Sequence, residues 1–179
     1  GSRWQFERQG YFVRDKDSMP GKPFMDAYLP SALPRDLYEP DGRIKGEVFE
    51  YGSFLQSKMH AAGVRCVDCH DPHSARTIAT GDALCMRCHA APTPAFPKAP
   101  LIVPAAHAFH KPESAGSRCV NCHMPQTTYM QRHPRHDHGF SVPDPLLTKE
   151  AGIPNACNRC HADKDADWAL GYVTQWYGD

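Results

Sequence analysis

Four short motifs in this 179-residue chain repeat one arrangement of reactive side chains. In each motif two cysteines stand three positions apart, and a histidine directly follows the second cysteine. The motifs use all eight cysteines of the chain. They are CVDCH (Cys66, Cys69, His70), CMRCH (Cys85, Cys88, His89), CVNCH (Cys119, Cys122, His123) and CNRCH (Cys157, Cys160, His161). Cysteines at this spacing can form disulfides, bind zinc or attach a haem covalently.

Disulfides and zinc both leave the histidines without a role. With 11 histidines in 179 residues, a histidine after all four pairs would arise by chance on the order of once in 10⁵ sequences. Fifteen residues separate Cys69 from Cys85, so the first two pairs do fit a C-x₂-C-x₁₅-C-x₂-C zinc ribbon. The third and fourth pairs, however, form no regular second ribbon.

Covalent haem c accounts for every residue of the pattern. Two thiols on one short helical turn reach the two vinyl groups of one porphyrin, and the next histidine binds its iron from below. We therefore predict four haem c groups attached through the eight cysteines. The predicted proximal iron ligands are His70, His89, His123 and His161. So little polypeptide per haem implies that the porphyrins lie close together and replace much of the apolar core.

The sixth coordination position of each iron separates electron transfer, which favours a filled position, from catalysis, which needs an open one. Seven further histidines are more than four irons require. His73 follows His70 by three positions, so the two rings face the same side of a turn and must serve different haems. The segment HAFH repeats this spacing. It follows an extended, proline-rich strap that contains Pro92, Pro94, Pro97, Pro100 and Pro104. The predicted distal ligands are His73, His107, His110 and His138.

His138 is preferred to its neighbours His133 and His136 because the Gly139 and Phe140 that follow it suit a close approach to a porphyrin. We expect His133 and His136 to be solvated or to lie at a haem edge. His60 and Met59 are weaker candidates for a ligand, at the end of an amphipathic segment. A methionine ligand would raise the potential of its haem relative to two histidines.

The composition excludes several classes of protein. Lysine and arginine together number 20, as do aspartate and glutamate, so nothing favours nucleic acid or an anionic membrane as a partner. No apolar run approaches the roughly 18 residues of a transmembrane span. No signal peptide is seen, and the leading Gly1 and Ser2 resemble a cloning scar, so we interpret the chain as a mature or trimmed form.

Two regions are predicted. Residues 1–45 have no cysteine or histidine but many aromatic residues and prolines, and we expect an irregular arm that wraps the haem core or contacts a neighbouring molecule. Residues 46–179 form the predicted tetrahaem domain. No segment has a convincing strand pattern. The predicted fold is therefore mainly α with extensive irregular loops and little or no sheet, built around four covalently bound haems.

Within the second region, residues 47–62 predict a helix that Gly63 can end. Asp82 and Asn155 are predicted to cap the turns that carry the second and fourth motifs. The tail predicts an amphipathic helix. Its apolar stripe consists of Trp168, Ala169, Tyr172, Val173 and Trp176.

The ordered segments YGSFLQSKM, GVRCVDCHDPHS, HAFHKPESAGSRCVNCHMP, DHGF and GIPNACNRCH resemble the multihaem c-type cytochrome module often joined to tetratricopeptide repeats. That module is loosely related to the c554 and nitrite-reductase-associated cytochromes. The resemblance extends from about Tyr38 to Asp179, where repeats would begin. It implies an exported electron-transfer protein. It also favours His73, His107, His110 and His138 as distal ligands over His60, His133 and His136.

The sequence thus predicts a tetrahaem cytochrome with bis-histidine irons that relays electrons between redox partners in the periplasm or outside the cell. Haem attachment requires reduced thiols and an export pathway. The expected partners are other redox proteins or cytochromes, with copies of the chain itself as an open case. Two alternatives remain: a subunit of an extracellular conducting filament, or a reductase of a small nitrogen or sulfur oxyanion with one open haem site. The surplus of histidines favours a carrier over an enzyme.

Overall fold

The computed structural model describes residues 3–6, 10–14, 28–30, 35–46, 48, 50–129 and 132–178. Its N-terminal part contains three short strands, which the sequence pattern did not predict. They are β1 (Arg3–Phe6), β2 (Gly10–Arg14) and β3 (Tyr28–Pro30), and they form an antiparallel sheet in that order. The side chains of residues 1–34 lie outside the described part, and so does the predicted aromatic wrap, apart from Tyr38.

Short helices and loops make up most of the described chain, which confirms the predicted fold class. The longest helix has 12 residues and most have one or two turns, since frequent proline and glycine interrupt longer segments. The helices are α1 (Glu50–Leu55), α2 (Lys58–Ala61), α3 (Cys66–Cys69), α4 (Asp82–His89), α5 (Pro104–His107), α6 (Cys119–His123), α7 (Pro145–Ala151), α8 (Cys157–Cys160) and α9 (Ala166–Tyr177). None within the described ranges is long and apolar enough to cross a membrane.

The helix predicted over residues 47–62 is two helices, α1 and α2. Ser57 causes the break, because its side-chain oxygen accepts a hydrogen bond from the backbone amide of His60 at 3.0 Å and begins a new helix. Gly63 adopts a φ of +89° just after α2, as expected for a residue that ends a helix.

A second small sheet, also not predicted, follows the third motif. Strands β4 (Gln126–Tyr129) and β5 (His133–His136) pair antiparallel, with Gln126 opposite His136. The β-branched threonines and the tyrosine of β4 suit a strand. The hairpin matters for the site because the chain leaves β5 directly into Asp137 and His138.

The polypeptide core is small and lies to one side of the motifs. Its main cluster consists of Tyr38, Ile44, Val48 and Tyr129, with Leu37 packed against it. The four helices that carry the cysteine motifs contain no fully buried residue. These four helices therefore bury none of their side chains in a hydrophobic core made by the polypeptide.

The C-terminal helix α9 forms as predicted. Asp165 caps its first turn by accepting a hydrogen bond from the Trp168 amide at 2.8 Å. Ala169, on the predicted stripe, is 1 % exposed. Lys149 of α7 forms an ion pair with Asp167 at 2.7 Å, which ties α9 to its neighbour.

Candidate haem-binding site

One cavity of about 2330 Å³ runs between the motif-bearing helices. Pockets for ordinary small ligands are roughly 300 to 1,000 Å³, so this space suits more than one large cofactor. All eight cysteines line it, together with the four histidines predicted as proximal ligands. The remaining lining is largely apolar and includes Leu84, Ile102, Val120 and Trp168.

Backbone carbonyls orient three of the four predicted proximal histidines. The Nδ1 atoms of His70, His89 and His123 lie 2.9, 2.8 and 3.0 Å from the carbonyl oxygens of Ala75, Pro100 and Ser141. A carbonyl can only accept, so each Nδ1 carries the proton and donates it. The lone pair then stands on Nε2, which is the form of imidazole that binds a metal ion.

Three pairs of imidazoles face each other across the cavity. The ring centroids are 6.2 Å apart for His70 and His138, 5.9 Å for His107 and His123, and 6.4 Å for His110 and His161. Metal–imidazole nitrogen bonds are about 2 Å long, so two imidazoles on opposite sides of one metal ion have centroids roughly 6 Å apart. Each pair joins one predicted proximal and one predicted distal histidine, and the spacing fits a single iron between them.

Two of the four predicted distal histidines are oriented by carbonyls in the same way. Nδ1 of His138 donates to the His136 carbonyl at 2.8 Å, and Nδ1 of His110 donates to that of Ala108 at 2.6 Å. Burial lowers the pKa of His138 and of His107, with the nearby His123 lowering that of His107 further. Both rings are thereby kept neutral, as metal binding requires.

The motif CMRCH has no such pair. No imidazole of the described residues is in ring contact with His89, and His73, the predicted distal ligand left over, is exposed on a turn. Within the described chain, the cavity lining does not include His60, His73 or His133. His136 does line the cavity, with Nδ1 held 2.7 Å from the Met124 carbonyl, in keeping with the haem-edge position considered for it.

A backbone feature accompanies every predicted distal histidine. Four non-glycine residues of the described chain adopt positive φ: Ala75 (57°), Phe109 (50°), Glu113 (64°) and Phe140 (49°). They follow His73, His107, His110 and His138 by two or three positions. The left-handed region disfavours residues with a Cβ atom, and non-glycine residues held there cluster at functional sites. Sequence reasoning missed this regularity, although the repeated H-x-F of HAFH and HGF was a visible signal.

The thiols do not form the two rival sites. All eight cysteines are free, and the described residues contain no group of three or more metal-ligating side chains close enough to hold a metal ion directly. Burial raises the pKa of the Cys69, Cys85 and Cys122 thiols, and raises that of Cys119 to about 12.

Hydrogen bonds from side chains place the motif helices next to one another. Asp82 is the first residue of α4 rather than its cap, and its Oδ1 accepts from the Cys119 amide at 3.0 Å at the start of α6. The second and third motifs therefore lie side by side. Asn155 is not the cap itself, since Ala156 occupies that position, but its Oδ1 accepts from the Asn158 amide at 3.1 Å in the first turn of α8.

Comparison with known proteins agrees with this geometry. Residues 59–93, which hold the first two motifs, match the family described as the doubled CXXCH motif. A 19-residue stretch is 95 % identical to a glutamine–tRNA ligase from Bradyrhizobium diazoefficiens, covering 11 % of this chain and 3 % of that enzyme. A match so short is well below the size of a domain.

The fold is similar to the crystal structure of the outer cell wall cytochrome OcwA, with a TM-score of 0.55 and 19 % identity. The match covers 93 % of this chain and 46 % of OcwA, so the chain spans about half the length of that protein. The doubled CXXCH motif and a fold similar to that of OcwA over nearly the whole chain support a multihaem c-type cytochrome fold, and the motif indicates covalently bound haem c.

Proposed function

We propose that the chain is a tetrahaem electron-transfer cytochrome whose irons are each held between two histidines. The observation that carries this proposal is the set of three imidazole pairs, 5.9 to 6.4 Å apart, across a cavity lined by all eight cysteines. A filled sixth position favours electron transfer over catalysis. When bound, the haems supply iron centres that accept and pass on single electrons.

The polypeptide has three tasks in this mechanism. The cysteines would anchor each porphyrin, and the imidazoles whose Nδ1 atoms donate to backbone carbonyls would hold the iron through Nε2. The apolar lining excludes water, and burial, axial ligands and nearby charge set the potentials. The residues that line the shared cavity would hold the haems close together, which would suit direct electron exchange between them.

The ligand pairs that we propose are His70 with His138, His123 with His107, and His161 with His110. By elimination, His73 would complete the haem of His89. The left-handed residue Ala75 supports this assignment, since it follows His73 as Phe109 and Phe140 follow His107 and His138. In this assignment the exposed turn of residues 71–75 packs against the second haem.

We further propose that the protein works outside the cytoplasm, with other redox proteins as partners. Two observations support this. OcwA, which shares the fold, is by its title a protein of the outer cell wall. In addition, covalent haem attachment requires reduced thiols and an export pathway, which is typical of exported proteins.

Mass spectrometry and spectroscopy of the exported protein test the proposal. The native mass should exceed that of the polypeptide by four haems, and the double variant Cys157→Ser/Cys160→Ser should carry three. Electron paramagnetic resonance of the parent should show only low-spin iron. A high-spin component equivalent to one haem would instead favour the reductase alternative, with an open site at His89. A native mass without haem would refute the proposal.

A further inference from the structure

The segment His107–His110 delivers two imidazoles to two different places. His107 faces His123, and His110, three residues later, faces His161. Adjacent turns of a regular helix would direct both rings to the same side. Helix α5 ends at His107 instead, and Phe109 adopts a φ of +50°. The left-handed conformation of Phe109 therefore turns the backbone, so that the imidazoles of His107 and His110 approach different motif histidines.

Phe109 is an unfavourable residue for this conformation. Glycine occupies the left-handed region readily, whereas a side chain there is strained and persists only if its surroundings hold it. The ring of Phe109 stacks on that of Trp176 with centroids 5.0 Å apart and planes only 2° from parallel. Tyr177 meets the same ring edge-on at 5.5 Å.

The same two residues of α9 also contact both histidines. The Tyr177 hydroxyl donates a hydrogen bond to the His107 carbonyl at 2.6 Å, and its ring lies 5.6 Å from that imidazole. Trp176 meets the His110 ring edge-on at 5.7 Å. At the other end of α9, Trp168 lies 4.8 Å from the ring of His161. One helix thus contacts both members of the pair His110 and His161.

We propose that Phe109, Trp176 and Tyr177 form an aromatic brace that positions the distal histidines of two haems at once, those of the third and fourth motifs. The brace acts through the histidines and touches no iron itself, so its members are positioning residues. This inference rests on the proposed bis-histidine ligation. The C-terminal helix α9 would then hold the distal ligands in addition to lining the cavity.

The variant Trp176→Leu tests the brace in the haem-loaded protein. We expect an added high-spin signal in electron paramagnetic resonance equivalent to up to two haems per molecule, because His107 and His110 lose their fixed positions. Trp176→Phe keeps a ring for the stack and should restore the low-spin spectrum. Phe109→Ala should give more high-spin iron than Phe109→Gly, since glycine keeps the left-handed turn without strain.

Ile153→Ala is the matched control for destabilisation alone. Ile153 is 1 % exposed and lies outside the cavity lining of the described chain, so this variant should lower the Tm without new high-spin iron. His107→Ala separates the two hypotheses. If His107→Ala gives no high-spin haem, bis-histidine ligation is wrong. If it does and Trp176→Leu leaves the spectrum unchanged, or changes it no more than Ile153→Ala does, the brace is wrong.

Discussion

The imidazoles of His107 and His123 lie almost parallel, with planes 12° apart and centroids 5.9 Å apart. His123 belongs to the motif on α6, and His107 ends α5 after the proline-rich strap. Their facing position arises from tertiary structure, because separate elements bring the two rings together. The pair also gives the most direct test of ligation in the chain.

Replacing His107 by alanine should convert one haem from low-spin to high-spin. The change would remove the proposed sixth ligand of the iron bound by His123 and leave the cysteines intact. Electron paramagnetic resonance and the visible spectrum would measure it, with the haem number unchanged by mass spectrometry. His133→Ala is the control, because His133 is exposed and outside the described cavity lining. An unchanged spectrum for His107→Ala would contradict the ligand assignment.

Gly116→Ala should disturb the distal ligand His110. A Cβ atom at Gly116 would overlap the His110 imidazole ring, so the ring must move away from the position in which it faces His161. If the His110 ring moves, we expect high-spin iron equivalent to one haem. If the backbone at residue 116 moves instead, we expect a lowered Tm. Gly171→Ala is the matched control, since a Cβ there meets no atom within 4 Å and alanine stabilises a helix by about 0.5–1 kcal/mol relative to glycine.

Ser53→Ala should lower the free energy of unfolding by about 1–3 kcal/mol, because it removes one of the two hydrogen bonds that the buried Oδ1 of Asp137 accepts, the other coming from the Gly139 amide. Ser53 is 1 % exposed, and its hydroxyl donates to Oδ1 of Asp137 at 2.6 Å. Asp137 immediately precedes His138, so the visible spectrum should show whether that ligand is displaced as well.

Thermal unfolding of the haem-loaded protein would measure the effect of Ser53→Ala. The control is Thr80→Ala, which removes a hydroxyl from an exposed loop position outside the described cavity lining and should change stability by no more than about 0.5 kcal/mol. Equal Tm values for both variants would show that the Ser53–Asp137 bond contributes little.

Tyr129 should make the protein less stable above pH 10. Burial raises the pKa of its hydroxyl from 10.0 to about 12. The unfolded chain then loses this proton first as the pH rises, so the contribution to stability is complete below pH 10 and is lost between pH 10 and pH 12. A shift of this size corresponds to about 2 kcal/mol after allowance for partial solvation.

The difference between parent and Tyr129→Phe isolates that group. Phenylalanine cannot ionise, so the variant should lose less stability than the parent as the pH rises from 10 to 12. Below pH 9 it should be slightly less stable, since it lacks the hydrogen bond to the Ile44 carbonyl at 3.3 Å. Parallel losses of stability in both proteins across the alkaline range would exclude Tyr129 as the cause.

Local features of the fold were accessible from the sequence, and features that depend on distant partners were not. The helix of Trp168 and Trp176 follows from a 3.6-residue apolar period, which is a property of one segment. The break at Ser57 is also local. The apolar period of the segment favoured one continuous helix, whereas the Ser57 side chain could cap a new one, and the sequence pattern alone did not decide between them. The hairpin of β4 and β5 depends on pairing between strands, for which the short, mixed segment around His133 gave no clear pattern.

The sequence by itself determined the chemistry, because the spacing of Cys66, Cys69 and His70, repeated four times, contains the geometry that covalent haem needs within a single turn. Which histidine faces which motif was decided only by tertiary structure. A left-handed residue follows both His138 and His110, and Trp176 and Trp168 of α9 pack against His110 and His161. Such long-range contacts are fixed when the whole chain closes around the cavity, so no local period records them.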